Sequence, residues 1–293
     1  MTKKEFKERM VQGPLILDGA TGSNLLKAGM PRGTCSELWI SEHPKPLIEL
    51  QKNYIRAGAD VVYAPTFLAN PISLESHGLA HEAKRLNHDL VRISKEAAQG
   101  KALVAGDIST TGKLMEPMGE MPYDTLFEAY KEQISYLAEA GVDLLVAETM
   151  MAADETMVIL DAASQVCELP VLCSLTIESD GSLFFGGNIY DAVETLEAVG
   201  ADAVGCNCSV GPDQLEAVIA GIRECVSIPV IAKPNAGMPT ITETGEALYS
   251  MGPEEFSLHM KALYKAGATL LGGCCGTDPA YIRELCKVIG RNS

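Results

Sequence analysis

The stretch KAGATLLGGCCGTD, from Lys265 to Asp278, is the most informative about the fold, because it contains a complete transition from helix to strand to helix. Gly267 ends a segment of helical periodicity, at a position where glycine commonly caps a helix in the left-handed conformation. The apolar run that follows predicts a buried strand. Similar Ala-Gly or Val-Gly pairs precede apolar runs at Gly58, Gly141 and Gly200.

Eight apolar runs of this kind predict strands, and they begin at residues 14, 60, 102, 143, 170, 202, 229 and 269. Segments of helical periodicity alternate with them and predict helices over residues 45–57, 79–98, 124–140, 153–166, 190–199, 212–225, 253–266 and 278–289. Near-continuous apolar strands that alternate with helices are typical of a parallel sheet covered by helices. Eight such units predict a single-domain (β/α)8 TIM barrel over residues 1–293, with residues 1–13 as a lead-in helix. An open, doubly wound sheet is the alternative.

Composition and charge exclude several classes of function. Hydrophobic residues make up 47% of the chain, which is ample for a large core without disulfides. The net charge of −16 argues against nucleic acid or an anionic membrane surface as a partner. No stretch approaches the roughly 18 to 20 apolar residues of a membrane span. Nine cysteines without an export signal lead us to expect reduced thiols and a cytoplasmic protein.

Polar residues collect where the predicted strands end. In a barrel of this kind the active site lies at the C-terminal ends of the strands. Side chains that are distant in sequence are therefore expected at one mouth, and they are Asp18, Thr66, Asp107, Glu148, Asn207, Cys208, Asn235, Cys274 and Cys275.

Three of these residues, Cys208, Cys274 and Cys275, predict a zinc site. Thiolates are preferred ligands of tetrahedral zinc, and no histidine lies near these strand ends. Three protein ligands leave one position open, as in catalytic zinc sites. An electron-rich ion of this kind suits a fourth thiolate better than water, so the chemistry indicated is alkylation of a substrate thiol.

The alternative is that the cysteines are small core residues, as free cysteine often is. We assign that role to the four cysteines on helical segments or inside a strand, which are Cys167, Cys173, Cys225 and Cys286.

Two further features indicate a ligand. The glycine-rich turn in LDGATGSNL, from Leu17 to Leu25, could hold a carboxylate with its backbone amides, or be only a tight turn. Glu148 ends an apolar run, where a carboxylate needs a partner. That partner is either a substrate ammonium or a salt bridge inside the barrel. Carboxylate, ammonium and thiol together describe an amino acid that carries a thiol.

The motifs DGATGSNL, GDISTTG, GCNCSVGP, KPNAG and GGCCGTDP occur in this order along nearly the whole chain. They resemble the homocysteine S-methyltransferase family, and in particular the homocysteine-binding barrel of cobalamin-dependent methionine synthases. The resemblance implies a (β/α)8 barrel in which the three cysteines bind Zn²⁺ and the homocysteine sulfur becomes the fourth ligand.

The resemblance also implies roles for the other mouth residues. Glu148 would hold the amino group of homocysteine, and Asn207 would support the zinc ligand beside it. Asn235 would lie near the metal and could occupy its open position. The substrate carboxylate would be received by the turn of Asp18, Gly19, Ala20 and Thr21.

The function that follows is zinc-dependent methyl transfer to homocysteine, which gives methionine. The chain has no D-x-H-x-x-G corrinoid motif, so we expect it to bind no corrinoid itself. The favoured donor is a methylcorrinoid carried by a separate protein, and the alternative donor is a small sulfonium such as S-methylmethionine.

Cys206 departs from the family pattern, and we expect it to lie deeper in the barrel than the metal. YAPTF, from Tyr63 to Phe67, differs from the common TNTF and borders the mouth. Two rival functions stay open. One is a non-catalytic zinc-binding barrel in which Cys206 closes a four-sulfur site, and the other is a lyase that uses Lys233 as a Schiff-base amine.

Overall fold

The structure is a computed structural model, and it describes residues 1–242 and 247–291. The described strands are Leu15–Ile16 (β1), Val61–Ala64 (β2), Leu103–Ile108 (β3), Leu144–Met150 (β4), Val171–Leu175 (β5), Ala203–Asn207 (β6), Val230–Lys233 (β7), Pro239–Ile241 (β8), Ala247–Tyr249 (β9) and Ala268–Leu271 (β10).

The α-helices surround these strands and are Lys3–Val11 (α1), Gly22–Lys27 (α2), Ser36–Glu42 (α3), Pro44–Ala57 (α4), Pro71–Glu75 (α5), Ala83–Ala98 (α6), Tyr123–Ala140 (α7), Ala153–Val166 (α8), Ile189–Ala198 (α9), Glu216–Cys225 (α10), Pro253–Lys265 (α11) and Pro279–Val288 (α12). Short 3₁₀ helices precede α6 and α10, at Ala80–Glu82 and Pro212–Gln214.

Eight strands form a nearly closed parallel barrel in the order β1-β10-β7-β6-β5-β4-β3-β2. A parallel bridge between Leu17 and Val61 joins the two end strands. Within the described residues, closure leaves the barrel without a long unpaired strand edge, and it excludes the open doubly wound sheet. The predicted (β/α)8 barrel is confirmed, as are the eight strands. A separate antiparallel hairpin, β8–β9, follows the seventh barrel strand.

The strands place alternate residues on opposite faces, as the two-residue period of a strand requires. On β6, Ala203 belongs to the apolar cluster inside the barrel, whereas Val204 packs in the larger cluster between strands and helices. Phe6 of α1 is fully buried and joins the interior cluster, so α1 packs against the barrel interior.

All four glycines predicted to end helices have positive φ angles, between 80° at Gly141 and 117° at Gly267. The sequence did not predict α2, α3, α5 or the β8–β9 hairpin. These elements are short, and isolated short helices and hairpins depend on tertiary packing for their stability. Within the described residues, no helix combines the length and apolar character needed to cross a membrane.

Candidate functional site

The thiols predicted to bind zinc lie together at the C-terminal mouth of the barrel. The sulfur atoms of Cys208, Cys274 and Cys275 all lie within 4.8 Å of one another. Strand order explains the meeting, because β7 lies between β6 and β10. The amide of Cys208 donates to the carbonyl of Lys233 (3.2 Å), and the amide of Cys274 donates to that of Pro234 (2.7 Å). The consecutive carbonyls of Lys233, which ends β7, and Pro234 therefore hold both thiol segments.

Adjacent cysteines can share one site because they lie in a turn and not on a strand. The amide of Thr277 donates to the carbonyl of Cys274 at 3.2 Å, which closes a β-turn around Cys275 and Gly276. Gly276 has a φ of 84°, the positive value that the third residue of a type II turn requires. Successive residues of a strand point to opposite faces of the sheet, but Cys274 and Cys275 lie in a turn and are free of this constraint.

Cys208 itself has a φ of 63°, and Ser209 follows at 53°. Non-glycine residues rarely adopt this conformation, and such strain is concentrated at functional sites. The alternation of side chains along β6 therefore ends before Cys208, so Cys206 does not share its face. The expectation that Cys206 lies deeper in the barrel was wrong. Cys206 is buried in the cluster between strands and helices, not deeper in the barrel, and burial raises its pKa to about 12. It does not belong to the thiol cluster, which speaks against a four-sulfur site.

The three clustered thiols are linked electrostatically. Hydrogen bonds from Cys208 and Cys274 lower the pKa of Cys275 to about 3. The same contacts raise the pKa of Cys208. The thiolate form is therefore favoured at Cys275 and disfavoured at Cys208 and Cys274, and the thiolate is the form that binds a soft cation.

Asn207 connects this cluster to β4. Its Oδ1 accepts from the amide of Thr149 (2.9 Å) and from the Ser174 hydroxyl (2.8 Å). Its Nδ2 donates to Thr149 Oγ1 (2.7 Å) and points to the Cys274 sulfur at 4.0 Å. Thr149 has a φ of 56°, so Asn207 also supports a strained backbone. The amide thus lies where a supporting residue of the thiol site is expected.

A cavity of about 300 Å³ opens beside the thiols. Its walls include the glycine-rich turn and the carboxylates of Asp107 and Glu148. Tyr63 and Phe67, the first and last residues of the YAPTF motif, also line it. The structure therefore brings the predicted turn, Glu148 and the three cysteines to one cavity. The size is at the lower end of the range for small-molecule sites.

Glu148 forms a salt bridge inside the barrel, which is one of the two partners that the sequence left open. Its Oε1 lies 2.9 Å from Lys233 Nζ, and Asp18 Oδ1 lies 3.7 Å from the same ammonium. Burial alone lowers the pKa of Lys233, but these two carboxylates outweigh it and hold the pKa well above its usual value. A Schiff-base lysine must be neutral to attack a carbonyl, so this environment speaks against the lyase.

Among the described residues, Asp107 is the carboxylate of this group that forms no ion pair, whereas Asp18 and Glu148 both pair with Lys233. Asp107 is 5% exposed and lines the cavity, and within the described residues its Oδ1 has no hydrogen-bond partner. Burial raises the pKa of Asp107 well above its ordinary value, and the neighbouring Glu148 adds to the effect. Its position at a strand end was the signal available in the sequence.

The glycine-rich turn offers fewer donors than predicted. The amide of Ala20 donates to Thr277 Oγ1 at 3.1 Å, and the carbonyl of Asp18 accepts from Gly273. The Asp18 side chain points into the barrel, where Oδ2 accepts from the amide of Tyr63 at 2.8 Å. Gly19 and Thr21 both line the cavity.

Asn235 follows β7 and is 3% exposed, and its Oδ1 has no hydrogen-bond partner among the described residues. The backbone amide of Asn235 donates to the carbonyl of Val210 at 3.1 Å. A buried amide oxygen without a partner is unusual and consistent with a polar ligand nearby.

Comparisons with known proteins agree with this architecture. The family described as homocysteine S-methyltransferase matches residues 15–289. The chain belongs to this family. The methionine synthase of Mycobacterium tuberculosis is 28% identical over 95% of the chain, and that of Mycobacterium leprae is 28% identical over 98%. The chain spans about a quarter of the length of these relatives, 25% in each case.

Solved structures of this family show the same fold. The homocysteine methyltransferase MmuM of Escherichia coli, in its oxidized form, superposes with a TM-score of 0.79 at 23% identity, over 94% of this chain and 95% of that one. Its metallated form gives a TM-score of 0.78 at the same identity, over 94% and 96% of the two chains.

Proposed function

We propose that this member of the family transfers a methyl group to the thiol of homocysteine and forms methionine, in a zinc-dependent reaction. The observation that carries the proposal is the cluster of three cysteine sulfurs beside a cavity that contains carboxylates. We further propose that residues 1–293 act as one homocysteine-binding barrel, with residues 1–13 leading into it. Such thiols must stay reduced, which fits the cytoplasm.

The donor set fits zinc. Three sulfurs within 4.8 Å, with no histidine or carboxylate in the group, match the ligand preference of a soft tetrahedral ion. Cys208, Cys274 and Cys275 would hold the ion. Asn207 would orient Cys274 through the contact between its Nδ2 and the Cys274 sulfur. Asn235 is proposed to lie near the open position. Zinc bound there would supply the positive charge that keeps a substrate thiol deprotonated near neutral pH.

The protein's other groups would orient the substrate. We propose that its ammonium is held at Asp107, whose Oδ1 is free, and at Glu148, which keeps its contact with Lys233. We assign the carboxylate to the turn of Asp18, Gly19, Ala20 and Thr21, with Gly19 and Thr21 as its cavity-lining members.

In the transfer step, the lone pair of the acceptor thiolate forms the new carbon–sulfur bond. The bond between the methyl carbon and the donor breaks, and its electrons remain with the donor. No proton moves in this step. The barrel's contribution is to hold the sulfur at the mouth in its nucleophilic form and in one orientation.

For the donor, we propose a methylcorrinoid carried by a separate protein, with S-methylmethionine as the alternative. The overall likeness to the methionine synthases supports the choice of this donor. Assays of homocysteine methylation with free methylcobalamin and with S-methylmethionine, run in parallel, distinguish the two.

Zinc X-ray absorption with and without homocysteine tests the proposal. We expect a first shell of three sulfurs and one light atom to become four sulfurs when homocysteine is added. Four sulfurs that do not change with homocysteine would mean a closed structural site and would overturn the methyltransferase assignment.

A further inference from the structure

The β8–β9 hairpin, which the sequence did not predict, is attached directly to the turn that holds two of the thiols. The amide of Ala236 donates to the carbonyl of Cys275 at 3.0 Å, and the amide of Met251 donates to the carbonyl of Ala236 at 3.1 Å. The Tyr281 hydroxyl also donates to the carbonyl of Met251, at 2.7 Å. The base of the hairpin is therefore fixed to the thiol turn and to α12.

Tyr249 lies at this base, because its cross-strand partner is Pro239, the first residue of β8. Its ring rests on the backbone of Gly276. A Cβ atom added at Gly276 would lie 2.4 Å from Tyr249 Cγ, closer than any real contact. Gly276 thus serves two purposes, since it also has the positive φ angle of the turn. This packing sets the Tyr249 side chain beside Cys275, the residue before Gly276, and the Tyr249 hydroxyl helps to lower the pKa of that thiol.

We propose that Tyr249 is a positioning residue of the metal centre, which donates a hydrogen bond to the sulfur of Cys275 while its ring fixes the turn. This inference rests on the proposed function. Together with Asn207, which approaches Cys274, Tyr249 gives two of the three thiolates a neighbouring donor. Hydrogen bonds of this kind stabilise the negative charge on sulfur and orient the ligand toward the ion.

Tyr249→Phe isolates the hydrogen bond, because phenylalanine keeps the ring on Gly276 and removes only the hydroxyl. Cobalt(II) is the probe, since its sulfur-to-metal charge-transfer absorption reports the energy of the sulfur lone pairs. We expect the band of the variant to move to longer wavelength, because a sulfur without its hydrogen bond releases an electron more easily. Zinc affinity, measured by competition with a chelator, should fall about 10-fold. Tyr264→Phe, on α11 and away from the thiols, should change neither quantity.

A wild-type band and wild-type zinc affinity in Tyr249→Phe would overturn the role of Tyr249, even if homocysteine still changes the spectrum and the proposed function holds. No thiolate-to-cobalt band in the unaltered protein would overturn the metal centre and this inference with it. Tyr249→Leu removes the ring as well, so a larger loss of affinity there than in Tyr249→Phe supports the packing contribution.

Discussion

Lys233 and Glu148 form a buried ion pair, with Nζ and Oε1 2.9 Å apart at the end of the barrel interior. Lys233 is 4% exposed and Glu148 is 7% exposed, so neither charge is well hydrated. Lys233 also lies 4.8 Å from the centre of the Tyr63 ring, a cation–π contact. The pair therefore connects strands β4 and β7 beneath the proposed substrate site.

Lys233→Met should be strongly destabilising, because it leaves Glu148 and Asp18 buried without their cation. We expect a loss of about 3–5 kcal/mol in the free energy of unfolding at pH 8, measured by urea denaturation. Lys287→Met is the matched control, since Lys287 pairs with Glu284 on the surface and should cost less than about 1 kcal/mol. Equal losses in the two variants would show that the interior pair has no special role.

Asp107→Asn should stabilise the fold at pH 8 while it weakens substrate binding. The pKa of Asp107 is raised in the folded state above its ordinary value of 3.8. The contribution of this group to the free energy of unfolding is therefore fully present below pH 3.8 and is lost as the pH rises through the raised pKa. The neutral amide avoids this loss, which predicts a gain of about 1–2 kcal/mol at pH 8 and little gain at pH 4.

The same substitution should raise the KM for homocysteine about 10-fold or more, because a charge-assisted hydrogen bond to the ammonium is lost. Asp213→Asn, at an exposed position, is the control and should change neither stability nor KM. An unchanged KM in Asp107→Asn would remove Asp107 from the proposed substrate site.

Asn207→Ala should weaken zinc binding about 10- to 100-fold, since it removes the group behind Cys274. It also leaves the amide of Thr149 without its acceptor, at a cost of about 1–3 kcal/mol. Asn188→Ala removes the N-cap of α9 and should cost about 1 kcal/mol without any effect on zinc. Zinc affinity is measured by chelator competition, and a wild-type value in Asn207→Ala would contradict the assigned role.

Cys275→Ala should lose zinc and methyl transfer together while the barrel stays folded, as judged by circular dichroism. Cys206→Ala is the matched control, because Cys206 is a buried thiol two residues from Cys208 that faces the helices. We expect it to cost about 1 kcal/mol of stability and to keep its zinc. Full activity in a zinc-free Cys275→Ala protein would disprove the zinc-dependent mechanism.

Local patterns in the sequence are sufficient to predict the barrel. Eight apolar runs alternate with segments of helical periodicity, and few folds can bury all of these runs, so the pattern predicts the strands and the larger helices. It also placed Cys208, Cys274 and Cys275 at neighbouring strand ends, because parallel strands bring their C-terminal ends to one mouth. Those assignments depend on local periodicity and on the topology of the fold.

The pairing of side chains at the barrel mouth depends on three-dimensional packing and could not be predicted from local patterns. Strand alternation placed Cys206 on the wrong face, because the positive φ angle at Cys208 breaks the two-residue period. The two carboxylate partners of Lys233 come from β4 and from the turn after β1, and no local pattern shows that they meet. Tyr249 depends on a hairpin too short to be stable alone. Contacts of this kind join residues far apart in sequence, so they are set by packing in three dimensions and not by local pattern.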